Sequence, residues 1–164
     1  QLLQRQEAGF VSRTSGANPG AEDSVFLGDT MGEVPLFYSA ADVAFVGGTL
    51  VPVGGHNLLE PAALGLPVVT GPHLFNTQDI AEMFVRIGAL TRVASGSELG
   101  AAISALLTDS DEARRLGRLG REIVAENRGA LQRLMHVLEP LIVEIDGQPH
   151  GSSAAPDTWV SPPD

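Results

Sequence analysis

Val43-Ala44-Phe45-Val46, followed by Gly47-Gly48-Thr49-Leu50-Val51-Pro52-Val53-Gly54-Gly55-His56-Asn57-Leu58-Leu59-Glu60, is the stretch that decides the fold. Its first four residues form a short apolar run that ends directly in glycine, the pattern of a strand buried on both faces of a parallel sheet. From Leu58 to Leu64 the pattern turns helical. Gly65 and then Pro67 stop that helix, because glycine accepts the left-handed cap and proline forbids continuation. Strand, glycine-rich turn and helix in this order make one unit of an α/β domain.

The same unit recurs on both sides. Further strands are expected at Val25 to Leu27, Pro67 to Thr70 and Leu90 to Val93, the first two of them ending in Gly28 and Gly71. Helices are expected over Val34 to Ala41, Thr77 to Ile87, Ser97 to Leu107, Asp111 to Asn127 and Ala130 to Val143, with Ser95 and Glu98 spaced as a capping box. The fold class is therefore α/β, a doubly wound parallel sheet of Rossmann type. Gly9 to Asp23 is polar and turn-rich and reads as a loop. The opening Gln1-Leu2-Leu3-Gln4-Arg5-Gln6 reads as the inside of a helix, and a doubly wound sheet calls for at least one more strand ahead of it, at an edge or in the centre. The domain is thus expected to occupy residues 1–145 and to be incomplete at its amino end. Residues 146–164, mostly Gly, Pro, Ser, Ala and Asp, are expected to be a disordered tail. Arg114, Arg118 and Arg121 share one helix face, read as solvated, with Leu116, Leu119 and Ile123 on the other side.

Composition removes several classes of function. All ten basic residues are arginine, and the formal net charge is -10, so the clustered positive charge that holds a phosphate backbone is missing and nucleic acid is not an expected partner. Without lysine there is neither a Schiff base nor the Gly-Lys-Ser/Thr ending of a P-loop. Without cysteine there is no thiolate nucleophile and no cysteine-based zinc site. No pair of histidines has metal-ligand spacing, so no metal and no cofactor is expected. No G-x-G-x-x-G follows a strand and no G-x-S-x-G elbow is present.

Ligands of open parallel sheets bind outside the carboxyl ends of the strands. There the sequence offers two segments. In Gly54-Gly55-His56 the backbone can approach a ligand closely, and the helix that starts near Asn57 turns its free amides and positive dipole end toward the same place, an anion site made without a cation. Glu60, in the first turn, can accept hydrogen bonds from ribose hydroxyls. Gly32 and Glu33 likewise precede a helix and offer amides to a phosphate or a base edge.

These residues carry a resemblance. Leu27-Gly28-Asp29-Thr30-Met31-Gly32-Glu33, Phe45-Val46-Gly47-Gly48, Gly54-Gly55-His56-Asn57-Leu58-Leu59-Glu60, Gly71-Pro72-His73 and the stretch from Gly129 onward resemble the 3-deoxy-D-manno-octulosonic acid (Kdo) transferases of lipopolysaccharide synthesis over about residues 10–143. The resemblance implies the carboxy-terminal half of a two-domain GT-B glycosyltransferase. In that family this half binds the donor CMP-Kdo, and the amino-terminal half binds the lipid A precursor at the cytoplasmic face of the inner membrane. Carried over, Met31, Gly32, Glu33, Asn57, Leu58, Leu59 and Glu60 contact CMP, and the transfer is inverting and metal-free. The family's general base, a glutamate of the amino-terminal domain, and its Pro-Arg-His motif have no counterpart in these 164 residues, so no catalytic residue is assigned and the chain alone is expected to bind donor weakly and transfer nothing. Two other readings stay open: another GT-B enzyme that uses a UDP-sugar, as transferase or epimerase, and a non-catalytic remnant. Preference for CMP over UDP and GDP separates the first from the Kdo reading.

Overall fold

The computed structural model describes residues 2–5 and 8–127. In chain order the elements are α1 (Leu2–Arg5), β1 (Phe10–Ser12), β2 (Val25–Leu27), α2 (Val34–Ser39), β3 (Ala44–Phe45), α3 (Leu59–Ala63), β4 (Val68–Thr70), α4 (Gln78–Arg86), β5 (Leu90–Arg92), α5 (Gly96–Thr108) and α6, residues 110–127. Short 3-10 turns over Arg13–Ser15 and Phe75–Thr77 follow β1 and lead into α4.

Every strand pair is parallel, which obliges the chain to cross over between partners, and from β3 onward the crossovers carry helices α3 and α4. β1 lies beside β2, from Phe10 opposite Val25 to Ser12 opposite Leu27. β3, β4 and β5 form a second sheet in that order, with Ala44 opposite Val68, and Val68 opposite Leu90. The sequence anticipates β2, β3, β4 and β5, the expected run Val43 to Val46 shrinking to two paired residues.

β1 departs from expectation, because Phe10–Ser12 falls in the stretch read as a loop. Three residues carry too little periodicity to announce a strand, and the partner supplies what the pattern lacks. The Gly9 carbonyl accepts the amides of Ser24 and Val25 at 3.0 and 3.2 Å, which sets the register of β1 on β2. A side chain at position 9 would overlap the Glu22 carbonyl, so only glycine fits there.

β4 is the centre of the core. Its residues Val68, Val69 and Thr70 are all buried. Adjacent side chains of a strand point to opposite faces, and here the two valines serve two different cores. Val68 packs with Val46, Leu58, Ala62, Phe84 and Ile123 on one face. Val69 packs with Val93, Leu106 and Leu116 on the other. Both faces are covered, as an all-parallel sheet requires.

Helix ends follow local chemistry. Gly65 adopts φ 76° after α3, as its place before Pro67 predicts. At α5 the Ser95 hydroxyl accepts the Glu98 amide at 3.2 Å, while the Glu98 carboxylate takes the amide of Ala94 at 2.8 Å. Leu116 and Ile123 of α6 are buried as expected. Arg121 is not only solvated: it donates to the Leu64 carbonyl at 2.7 Å and caps the end of α3. The helix expected over 130–143 and the tail expected from Asp146 lie outside the described residues.

Candidate functional site

The loop after β3 is closed by its own backbone. Gly55 and His56 donate their amides to the carbonyls of Gly48 and Gly47, at 3.0 and 3.2 Å, so the two glycine-containing ends of the loop zip together. The turn needs positive φ at Gly48, Gly54 and Gly55, with values of 72°, 103° and 80°. This revises one expectation. Of the phosphate loop read at Gly54, Gly55 and His56, two amides hold the loop shut rather than face a ligand, and of these three residues His56 is the exposed one, beside the exposed Val51 and Val53. α3 also has only five residues, so its dipole is that of little more than one turn.

Two residues support this loop from beneath, and the sequence did not single out either for that work. Thr49, fully buried, donates its hydroxyl to the Val46 carbonyl and accepts the Gly71 amide, both at 2.7 Å. Its own carbonyl accepts the His73 amide at 3.0 Å. Asn76 donates its side-chain amide to the Val53 carbonyl at 3.2 Å, and its backbone amide goes to Gly54 at 3.2 Å. The ends of β3 and β4 are thus fastened to each other, and the loop between Gly47 and Asn57 rests on them.

At the start of α3, Asn57 and Glu60 are exposed and joined, the Asn57 side-chain amide donating to Glu60 Oε1 at 3.1 Å. The other end of that amide, Oδ1, accepts the Leu59 backbone N–H at 2.9 Å. Leu58 is 0% exposed and belongs to the core, so any contact it makes with a ligand runs through its backbone. Leu59 is half-buried against the same cluster.

The second expected segment, after β2, is pinned at both ends. Glu33 receives a two-pronged bond from Arg13, Nε at 3.1 Å and Nη2 at 3.0 Å, and a third bond from the Thr30 hydroxyl. These hold its carboxyl below the usual carboxylate range, Arg13 first and Thr30 second. Asp29 accepts the Thr14 amide at 3.0 Å and the Thr14 hydroxyl, which lowers its pKa as well. Between the two carboxylates stand Met31, 97% exposed, and Gly32, at φ 81°. Arg13 and Thr14 went unnoticed in the sequence because they lie in the stretch read as loop.

The two segments meet through neighbouring helices. α2 packs on α3, and the half-buried Tyr38 has its hydroxyl pKa raised by burial and then by the charge of Glu60. No hydrogen bond joins Met31, Gly32 or Glu33 directly to Asn57 or Glu60 among the described residues. A separate cleft of about 440 Å³ opens beyond β4 and β5, with His73, Phe75, Arg86 and Arg92 among its walls.

Comparison with known proteins fits this geometry. The glycosyl transferases group 1 family matches residues 14–123, which take in both segments. The chain belongs to that family. Within it, the chain is 44% identical over 142 residues to the 3-deoxy-D-manno-octulosonic acid transferase of Haemophilus influenzae, a match that covers 86% of this chain and 33% of the relative. To the enzyme of the same name from Bordetella pertussis it is 38% identical over 138 residues, 84% of this chain and 32% of the relative. Among solved structures, the carboxy-terminal CMP-Kdo binding domain of WaaA from Acinetobacter baumannii matches with a TM-score of 0.72 and 32% identity, over 75% of this chain and 64% of that one. The resemblance to the Kdo transferases and the Rossmann-like half of a GT-B fold are both borne out. The chain spans about a third of the length of the curated relatives it matches.

Proposed function

We propose that this group 1 glycosyltransferase chain is the donor-binding part of a Kdo transferase, holding CMP-Kdo across the carboxyl ends of β2 and β3. What carries the reading is a coincidence. Gly32, Glu33 and Glu60, chosen from strand ends and helix starts, lie in the same two segments in which the resemblance adds Met31, Asn57, Leu58 and Leu59, within a chain similar to a CMP-Kdo binding domain. The chemistry is suitable. Met31 stands in solvent unpacked, an apolar surface that a base can cover. Glu33 and Glu60 are acceptors when ionised, matched to ribose hydroxyls or to the exocyclic amine of cytosine, where uracil presents an acceptor instead. The Asn57 side chain steers Glu60 and also takes the Leu59 amide that opens α3. In the complete enzyme the acceptor is a lipid A precursor bound by an amino-terminal domain that also brings the general base, at the cytoplasmic face of the inner membrane. Among the described residues no helix is long and apolar enough to cross a membrane.

The test is ligand-observed NMR on the purified chain with CMP, UDP and GDP, and with Glu60→Ala as control. Selection of CMP, lost in the variant, supports the reading. Preference for UDP refutes it in favour of a UDP-sugar enzyme of the same fold.

A further inference from the structure

Glu33 stands at the N-cap of α2, whose second residue is Pro35 and has no amide to offer a cap, and its side chain makes no capping bond. The carboxylate is drawn instead to Arg13 and Thr30, which between them occupy both oxygens. Arg13 lies twenty residues earlier in the chain, immediately after β1, and its planar fork grips the carboxylate in one orientation. Next to it Thr14 takes Asp29 by two bonds. The turn carrying Met31 and Gly32 is therefore clamped at both ends from one place, the end of β1.

We propose that Arg13 is a positioning residue of the donor site, acting on bound nucleotide through the carboxylate of Glu33. The inference rests on the donor-site reading of Met31 to Glu33 given above and adds to it a residue outside both expected segments. A free carboxylate at that partly exposed turn samples several rotamers, and fixing one removes an ordering cost at the moment of binding. With Oε2 taken by Arg13 and Thr30, Glu33 has its spare acceptor capacity on Oε1, so its direction toward a ligand is set by the Arg13 fork.

A double-mutant cycle on the 164-residue chain tests this, with CMP as the probe and amide spectra confirming that each variant is folded. Arg13→Gln is expected to weaken CMP by roughly fivefold, the scale of a partly exposed ion pair, and Arg13→Lys, which keeps the charge but not the fork, by less. In a Glu33→Gln background, Arg13→Gln is expected to cost nothing more. The Arg13 Nε–H resonance, sharp and shifted while bonded to Glu33, is expected to move to the free-arginine position in Glu33→Gln. Additive losses would overturn the inference, since Arg13 would then act on its own or only through the fold. Unchanged affinity in Arg13→Gln beside a clear loss in Glu33→Gln would overturn it and leave the donor-site reading standing. No effect of Glu33→Gln at all would sink both. Should Arg13→Gln unfold the chain, Thr30→Val removes a different bond to the same carboxylate and is expected to shift affinity in the same direction; no shift would count against the inference.

Discussion

The hydroxyl of Thr49 accepts the backbone amide of Gly71 at 2.7 Å in a fully buried site, twenty-two residues apart in the chain. It fastens the end of β3 to the end of β4, and a side chain at position 71 would run into the Thr49 carbonyl, so the two backbones are as close as glycine allows. Everything proposed for the loop after β3 depends on this floor.

Thr49→Val keeps the shape and removes the hydroxyl, leaving the Gly71 amide buried without its acceptor. The expected cost is about 1–3 kcal/mol in urea unfolding, with a parallel loss of nucleotide binding. Thr49→Ser is expected to retain most of both.

Thr70 supplies the opposite case. It is as deeply buried as Thr49, but its hydroxyl finds no partner among the described residues. Thr70→Val, isosteric and apolar, is expected to leave stability unchanged or raise it by up to about 1 kcal/mol. A loss above that in the same urea experiment would mean that the hydroxyl has a partner in solution.

Gly117 and Gly100 both sit inside helices, yet their surroundings differ. A Cβ on Gly117 would overlap the carbonyl of Gly65, where α6 lies against the end of α3, whereas nothing stands within 4 Å of a Cβ on Gly100. Gly117→Ala is expected to destabilise by about 1–3 kcal/mol through overpacking. Gly100→Ala is expected to stabilise by about 0.5–1 kcal/mol, the helix-propensity gain. Thermal melts of the two variants check the pair of signs.

Sequence pattern gave the four strands that are apolar runs ending at a turn, because burial on both faces leaves that trace. It missed Phe10–Ser12, whose strand character comes from its pairing with β2. Strand ends and helix starts led to Gly32, Glu33 and Glu60 of the proposed site, whereas Met31, Asn57, Leu58 and Leu59 entered through the family resemblance. What supports them was not legible. Thr49 reads as an ordinary loop threonine, and only the approach of Gly71 reveals its task. The closure of the loop had a faint signal, glycine pairs at both ends, Gly47-Gly48 and Gly54-Gly55, which face each other across two hydrogen bonds. Arg121 looked solvated on its own helix because its partner, the Leu64 carbonyl, is fifty-seven residues away.

Acid should weaken the fold by a defined route. Asp29 and Glu33 have folded pKa values below the usual carboxylate range, Asp29 through Thr14 and Glu33 through Arg13. A depressed pKa means the ionised group favours the folded state. Its contribution is complete above the unfolded carboxylate value, about pH 4, and is lost as pH falls through the lower folded value. Urea midpoints of wild type and Arg13→Gln are therefore expected to differ at neutral pH and to converge in acid. A constant gap across that range would contradict the assignment.

If nucleotide sits across the ends of β2 and β3, a map of backbone amide shifts in the labelled chain on titration with CMP will show it. The largest changes are expected at Met31, Gly32, Glu33, Asn57 and Glu60, with smaller ones at Arg13 and Thr14. Changes confined to the cleft around His73, Arg86 and Arg92, with the two segments silent, would contradict that placement.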